Sequence, residues 1–144
     1  SLHRAGALTI AISCNTPAPI LEIAQIAIGV VVGAEVITGS TRLKAGTAQK
    51  MILNMISTGT MIRRGKVYDN LMVDVRASNE KLVDRAERIA AQIAGISQEE
   101  ARRLLSLCDY EVKTAIVMAK RGIPVQDARA LLLQADGFLR RVID

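Results

Sequence analysis

Within the run GAEVITGSTRLK, residues 33–44, a carboxylate (Glu35), three hydroxyls (Thr38, Ser40, Thr41) and two cations (Arg42, Lys44) crowd around Gly39. The apolar residues before it read as a buried strand and those after it as a long amphipathic helix. The start of a helix presents unpaired N–H groups and the positive end of its dipole, so this turn has the chemistry to hold a small anionic ligand. Plainer roles stay open for each residue. Ser40 or Thr41 suits the N-cap, Glu35 is favoured by the dipole or paired with Arg42, and Arg42 and Lys44 can simply solvate a loop. Thr47 adds a further hydroxyl near the turn. Other chemistry is sparse. Cys14 and Cys108 are isolated, without a C-x-x-C pattern, and read as reduced core thiols. His3 is the single histidine, which leaves no zinc site or Ser–His–Asp triad within the chain, and no cofactor is expected.

The bulk of the chain narrows the partners. Its 144 residues are half hydrophobic, but only 2% are aromatic (Tyr68, Tyr110, Phe138), so Ala, Ile, Leu, Val and Met must fill the core. Base-stacking nucleic-acid modules need more aromatic surface than that. Net charge is +5, and residues 1–76 carry most of it, 8 Lys/Arg against 4 Asp/Glu, whereas residues 77–144 carry 11 against 10. The nearly neutral second half speaks against a phosphate-backbone partner, so no nucleic acid is expected. No signal peptide is visible, and no apolar run approaches the roughly 18 residues of a membrane span. The expectation is a soluble cytoplasmic protein that engages no membrane.

The elements that must position the turn follow from periodicity. Ser1–Ala5 reads as the last turn of a helix closed by Gly6, so the chain opens inside a longer fold. Ala7–Ser13 and Ile26–Val32 read as apolar strands, and Pro19–Ala24 as a short helix between them, a spacing that suits a parallel β-α-β crossover. From Lys44, the stripe Ala45, Ala48, Met51, Ile52, Met55, Ile56, Gly59 and Ile62 predicts a helix that Gly65 stops, with its apolar face in a core or a dimer interface. Leu71–Val75 reads as a connector. Ser78 or Asn79 then caps a helix to about Ala94. Ser97 with Glu100 has the capping-box pattern for a second helix, Tyr110–Lys120 is a third and Val125–Leu133 a fourth, with a short one over 136–144. Glu22 and Asp74 show no partner pattern and are taken as structural. Two parallel strands do not make a stable sheet alone, so further strands must come from elsewhere.

The motifs GAEVITGSTRLKAGTAQKMILNMISTG and GKVYDNLMVDVRASNEKL, within a likeness running from GALTIAISCN to GFLRRVI, resemble the N-acetylmuramic acid 6-phosphate etherases, relatives of the glucokinase regulatory protein. The likeness covers the carboxyl-terminal half of the family's usual chain. It implies an α/β fold: residues 1–76 as the carboxyl-terminal part of a sugar-isomerase-type parallel sandwich, and residues 77–144 as a small ubiquitin-associated-like helical bundle, in a homodimer. The implied reaction cleaves the D-lactyl ether of N-acetylmuramic acid 6-phosphate by elimination and addition of water, during cell-wall recycling. The alternative is a non-catalytic sugar-phosphate-binding regulatory domain. The family's two catalytic glutamates and its phosphate-holding serine loops lie in the amino-terminal half, so no catalytic residue is expected in this chain, and the chain alone is expected to be inactive. What carries over is substrate binding. Lys81 in Asn79-Glu80-Lys81-Leu82 matches the family lysine that reaches the sugar phosphate; from its own surroundings it reads as a surface lysine paired with Asp84. Glu35, Ser40, Thr41, Arg42 and Lys44 are the further candidates. The implied partners are a phosphorylated amino sugar and the amino-terminal half of the same protein.

Overall fold

A computed structural model describes residues 6–75 and 77–144. The helix end expected at Ser1–Ala5, and His3 with it, lie outside the described residues. The architecture is mixed, with helices and two small two-stranded sheets, and divides into two compact units between Thr58 and Gly59.

In the first unit, strands β1 (Ile10–Ser13) and β2 (Ile26–Gly29) pair in parallel, with Ile10 opposite Ile26 and Ser13 opposite Gly29. Helix α1 (Pro19–Ile23) crosses between them with Pro19 at its start, where a missing N–H costs nothing. Glycine is required at the end of β2, because a Cβ on Gly29 would lie 2.9 Å from Thr16 Oγ1. The Gln25 side chain accepts from Thr9 N at 2.9 Å, which ties the start of β2 to the residue before β1. Cys14 is free and half-buried rather than a core residue, with its thiol 3.5 Å from Ala45 O. Among the described residues of this unit, Ala11 is the one buried apolar side chain.

Helix α2 (Lys44–Arg63) leaves the first unit and ends in the second. Its predicted apolar stripe is present, but none of its residues is buried, and Met51, Leu53, Met55 and Ile62 are each more than half exposed.

After α2, the expected connector Leu71–Val75 begins with a strand instead. Val67–Tyr68 (β3) and Leu71–Met72 (β4) form an antiparallel hairpin, with Asp69 in its turn at a φ of 49°. Strands of two residues are too short to show an alternating pattern, so the local signal is only the polar Asp69-Asn70 pair. Ahead of the hairpin, Gly65 at a φ of 65° packs so close to the chain end that a Cβ would lie 3.0 Å from Gly137 O. The Lys113 ammonium closes this corner by donating to Gly65 O at 3.3 Å and Gly137 O at 3.0 Å.

Helices α3 (Glu80–Ala94), α4 (Gln98–Leu107), α5 (Val112–Arg121), α6 (Val125–Gln134) and α7 (Arg140–Ile143) form a bundle around Leu105, Ile116, Val117 and Leu139. Local signals set its boundaries. Asn79 caps α3 by accepting from Leu82 N at 3.0 Å, and Gly95 ends that helix in the left-handed region. Ser97 caps α4 by accepting from Glu100 N at 3.1 Å. The expected capping box is only half made, since the Glu100 carboxylate turns to Arg103 at 2.7 and 2.9 Å. One carboxylate is inside: Glu87 on α3, 2% exposed, accepts from Arg102 at 2.8 and 3.0 Å and from Gln98 at 3.1 Å, both on α4.

Candidate functional site

The turn between β2 and α2 is closed by its own carboxylate. Glu35 reaches across it and accepts from Lys44 N through Oε2 at 2.9 Å and from Ala45 N through Oε1 at 3.1 Å. These are the first N–H groups of α2, the ones a helix start leaves without a partner. Both bonds favour the charged form, so they, and then the neighbouring Lys44 ammonium, hold the Glu35 carboxyl below the usual range. Lys44 turns the other way and donates from Nζ to Ala34 O at 2.9 Å. The anion at this helix start is therefore part of the chain.

That arrangement corrects the expected cap. Neither Ser40 nor Thr41 donates or accepts a capping bond through its side chain among the described residues. Their backbones build the turn instead, with Leu43 N donating to Ser40 O at 3.1 Å and Gly46 N donating to Thr41 O at 2.8 Å. A carboxylate that spans two N–H groups is a stronger acceptor than one hydroxyl, and charge-assisted bonds win such a competition. Thr41 and Arg42 are exposed, and Ser40 is half-buried. The expected Glu35–Arg42 pair is not formed among the described residues.

Lys81 belongs to the second unit, on the first turn of α3, and is exposed. Its expected pairing with Asp84 is not made. Asp84 is taken by Arg88 at 2.7 Å and by the Gln98 amide at 3.1 Å. No ion pair is recorded for Lys81 among the described residues. The candidates thus fall in two groups: Glu35, Ser40, Thr41, Arg42 and Lys44 share one turn of the first unit, and Lys81 stands on the second.

A polar seam that the sequence reading did not single out lies in the second unit. A cleft of about 1000 Å³ beside the hairpin is lined by Lys66, Asp74, Ser78, Glu111, Lys113 and Thr114, among others. Its charges are matched internally. Lys66 meets Asp74 at 2.8 Å and holds that carboxyl below the usual range, while Glu111 takes Arg129 at 2.9 Å and the Thr114 hydroxyl at 2.7 Å. The first pair spans the hairpin, and the other two lie within the bundle. Lys113 on α5, 3.7 Å from Asp74, joins the hairpin side of the cleft to the bundle.

Comparison with known proteins adds what the geometry alone does not. A family model described as the C-terminal lid domain of glucokinase regulatory protein matches residues 69–115. The chain is 56% identical over 139 residues to the N-acetylmuramic acid 6-phosphate etherase of Brucella anthropi, covering 96% of this chain and 45% of that protein. It is 55% identical to the etherase of Vibrio campbellii over the same shares, and 55% identical to that of Salmonella paratyphi B over 99% of this chain and 48% of that protein. The chain spans about half the length of the curated relatives it matches.

Proposed function

We propose that this chain, which belongs by sequence to the N-acetylmuramic acid 6-phosphate etherase family, is the carboxyl-terminal part of an enzyme that cleaves the D-lactyl ether of N-acetylmuramic acid 6-phosphate. The observation that carries this is identity of 55–56% over nearly all of the chain to proteins of that name. In this reading residues 1–76 complete a sugar-isomerase-type sandwich, and residues 77–144 are a ubiquitin-associated-like bundle. The enzyme works in the cytoplasm as a homodimer. The apolar faces left open in the first unit fit this, because parallel sheets are normally covered on both sides. So does the exposed Lys81 ammonium, which suits the phosphate or hydroxyls of an amino sugar phosphate. Glu35, already bound to its own helix, positions the turn, and the exposed Arg42 and Thr41 are the groups there left to meet a ligand.

Release of D-lactate from N-acetylmuramic acid 6-phosphate is the test. The chain alone is expected to release none. Supplied with the amino-terminal half of a relative, it is expected to turn over, and Lys81→Ala then weakens substrate use. Turnover by the isolated chain would overturn the assignment of the proton-moving groups to the other half, and full activity of the Lys81→Ala enzyme would remove Lys81 from the site.

The match over residues 69–115 to the lid of a regulatory protein favours one second reading, a sugar-phosphate sensor without turnover. Saturable binding of a sugar phosphate by the reconstituted protein, with no D-lactate produced, is the result that selects it.

A further inference from the structure

We propose that Asn79 is a positioning residue for substrate binding: its cap holds the first turn of α3 so that the Lys81 ammonium is presented to the ligand. The inference rests on the reading of Lys81 as a ligand-binding residue and goes beyond it by naming the group that sets its place.

Three observations converge. First, a lysine in the first turn of a helix is opposed by the helix dipole, which favours cations at the other end. Its position is therefore not explained by the stability of α3. Second, the acid that would hold Lys81 down is occupied, since Asp84 bonds to Arg88 at 2.7 Å and to Gln98 at 3.1 Å. Lys81 is exposed and has no internal partner among the described residues. Third, the turn that carries it depends on Asn79. The Asn79 side chain accepts from Leu82 N at 3.0 Å, and this is the bond that Asn79→Ala removes, since the main-chain carbonyl at 79 goes on accepting from Leu82 N and Val83 N. Lys81 lies between the capping side chain and the amide it captures. Further along, the bonds that Glu87 accepts from Arg102 and Gln98 fix α3 against α4, so the body of the helix is held apart from its first turn.

Loss of the cap lets that turn fray. The fraction of molecules with Lys81 in place then falls, and apparent affinity falls by the same fraction. In the reconstituted etherase with N-acetylmuramic acid 6-phosphate as substrate, Asn79→Ala is expected to raise KM, by at most about fivefold, the full scale of a lost N-cap, with kcat unchanged. Asn79→Ser restores the cap and the KM. A general loss of folded enzyme would lower kcat and leave KM alone. The deciding comparison is a double-mutant cycle. On a Lys81→Ala background, Asn79→Ala is expected to raise KM no further, because the group it positions is gone. Amide exchange at Leu82 is expected to quicken in Asn79→Ala whether or not the enzyme turns over. An Asn79→Ala enzyme with wild-type KM beside a weakened Lys81→Ala enzyme overturns the positioning role alone. Full additivity of the two substitutions overturns it as well. A wild-type KM in Lys81→Ala overturns the ligand-binding reading on which it rests.

Discussion

Glu87 is the buried carboxylate of the bundle among the described residues. It is 2% exposed, and its oxygens are shared between a two-pronged Arg102 and the Gln98 amide. The Arg102 bonds, then that of Gln98, outweigh the cost of burial and hold its carboxyl below the usual range. A carboxyl depressed in the folded state and ordinary in the unfolded one, about 4.3, adds stability above that value. The contribution is lost as pH falls through the folded value. Melting temperature is therefore expected to drop below about pH 4, and Glu87→Gln is expected to flatten that acid limb. At neutral pH the same substitution should lower stability by about 1–3 kcal/mol in urea titrations, the range for bonds to a charged group. Arg102 is 63% exposed and can be rehydrated, which keeps the loss below that of a fully buried pair. An acid limb identical in the two proteins would show that other carboxylates carry it. Glu100, Glu111 and Asp74, all lowered by basic partners, are the alternatives.

At the scale of the element, the start of α2 turns on which group satisfies its N–H groups. With Glu35 bridging Lys44 N and Ala45 N, those amides are expected to exchange slowly, and Glu35→Ala to expose them. Ser40→Ala and Thr41→Ala should leave them protected. Equal loss of protection in Ser40→Ala would return the cap to the hydroxyl. The contrast with α3 and α4 explains what was legible in the sequence. Asn79 and Ser97 cap amides three residues away, so spacing reveals them, and Gly95 stops a helix beside its last turn. Glu35 acts across a nine-residue turn, where side-chain reach rather than spacing decides, and the nearer Ser and Thr were the natural expectation. The hairpin at Val67–Met72 escaped for a related reason. Its strands are too short to carry a period, and it is tied down by Asp69 and Tyr68 meeting Arg140 and Asp144, partners more than seventy residues on. Likewise the stripe on α2 was legible as a stripe, but its cover was not, since periodicity shows only that a face is apolar.

For the molecule as a whole, the two units differ in how much of their stability the chain itself supplies. The bundle and its hairpin hold nearly all of the buried apolar side chains among the described residues, including Leu105, Ile116, Val117 and Leu139. The first unit has Ala11 buried, while Ile23, Val31 and Val36 are between 72% and 86% exposed. Apolar surface on this scale marks a contact site, and a two-stranded parallel sheet packed against the five-residue α1 has little to resist opening. Hydrogen exchange of the chain alone is therefore expected to separate the units, with amides of α3 and α5 protected to the limit of global unfolding and those of β1 and β2 exchanging much sooner. The chain should also bind an apolar dye and associate as its concentration rises. Adding the amino-terminal half of a related etherase is expected to slow exchange in β1 and β2 and to displace the dye, with the bundle unaffected. Slow exchange in β1 and β2 of the monomeric chain would mean that this sheet is stable without further cover, and the open apolar faces would then lose their force as support for a larger enzyme.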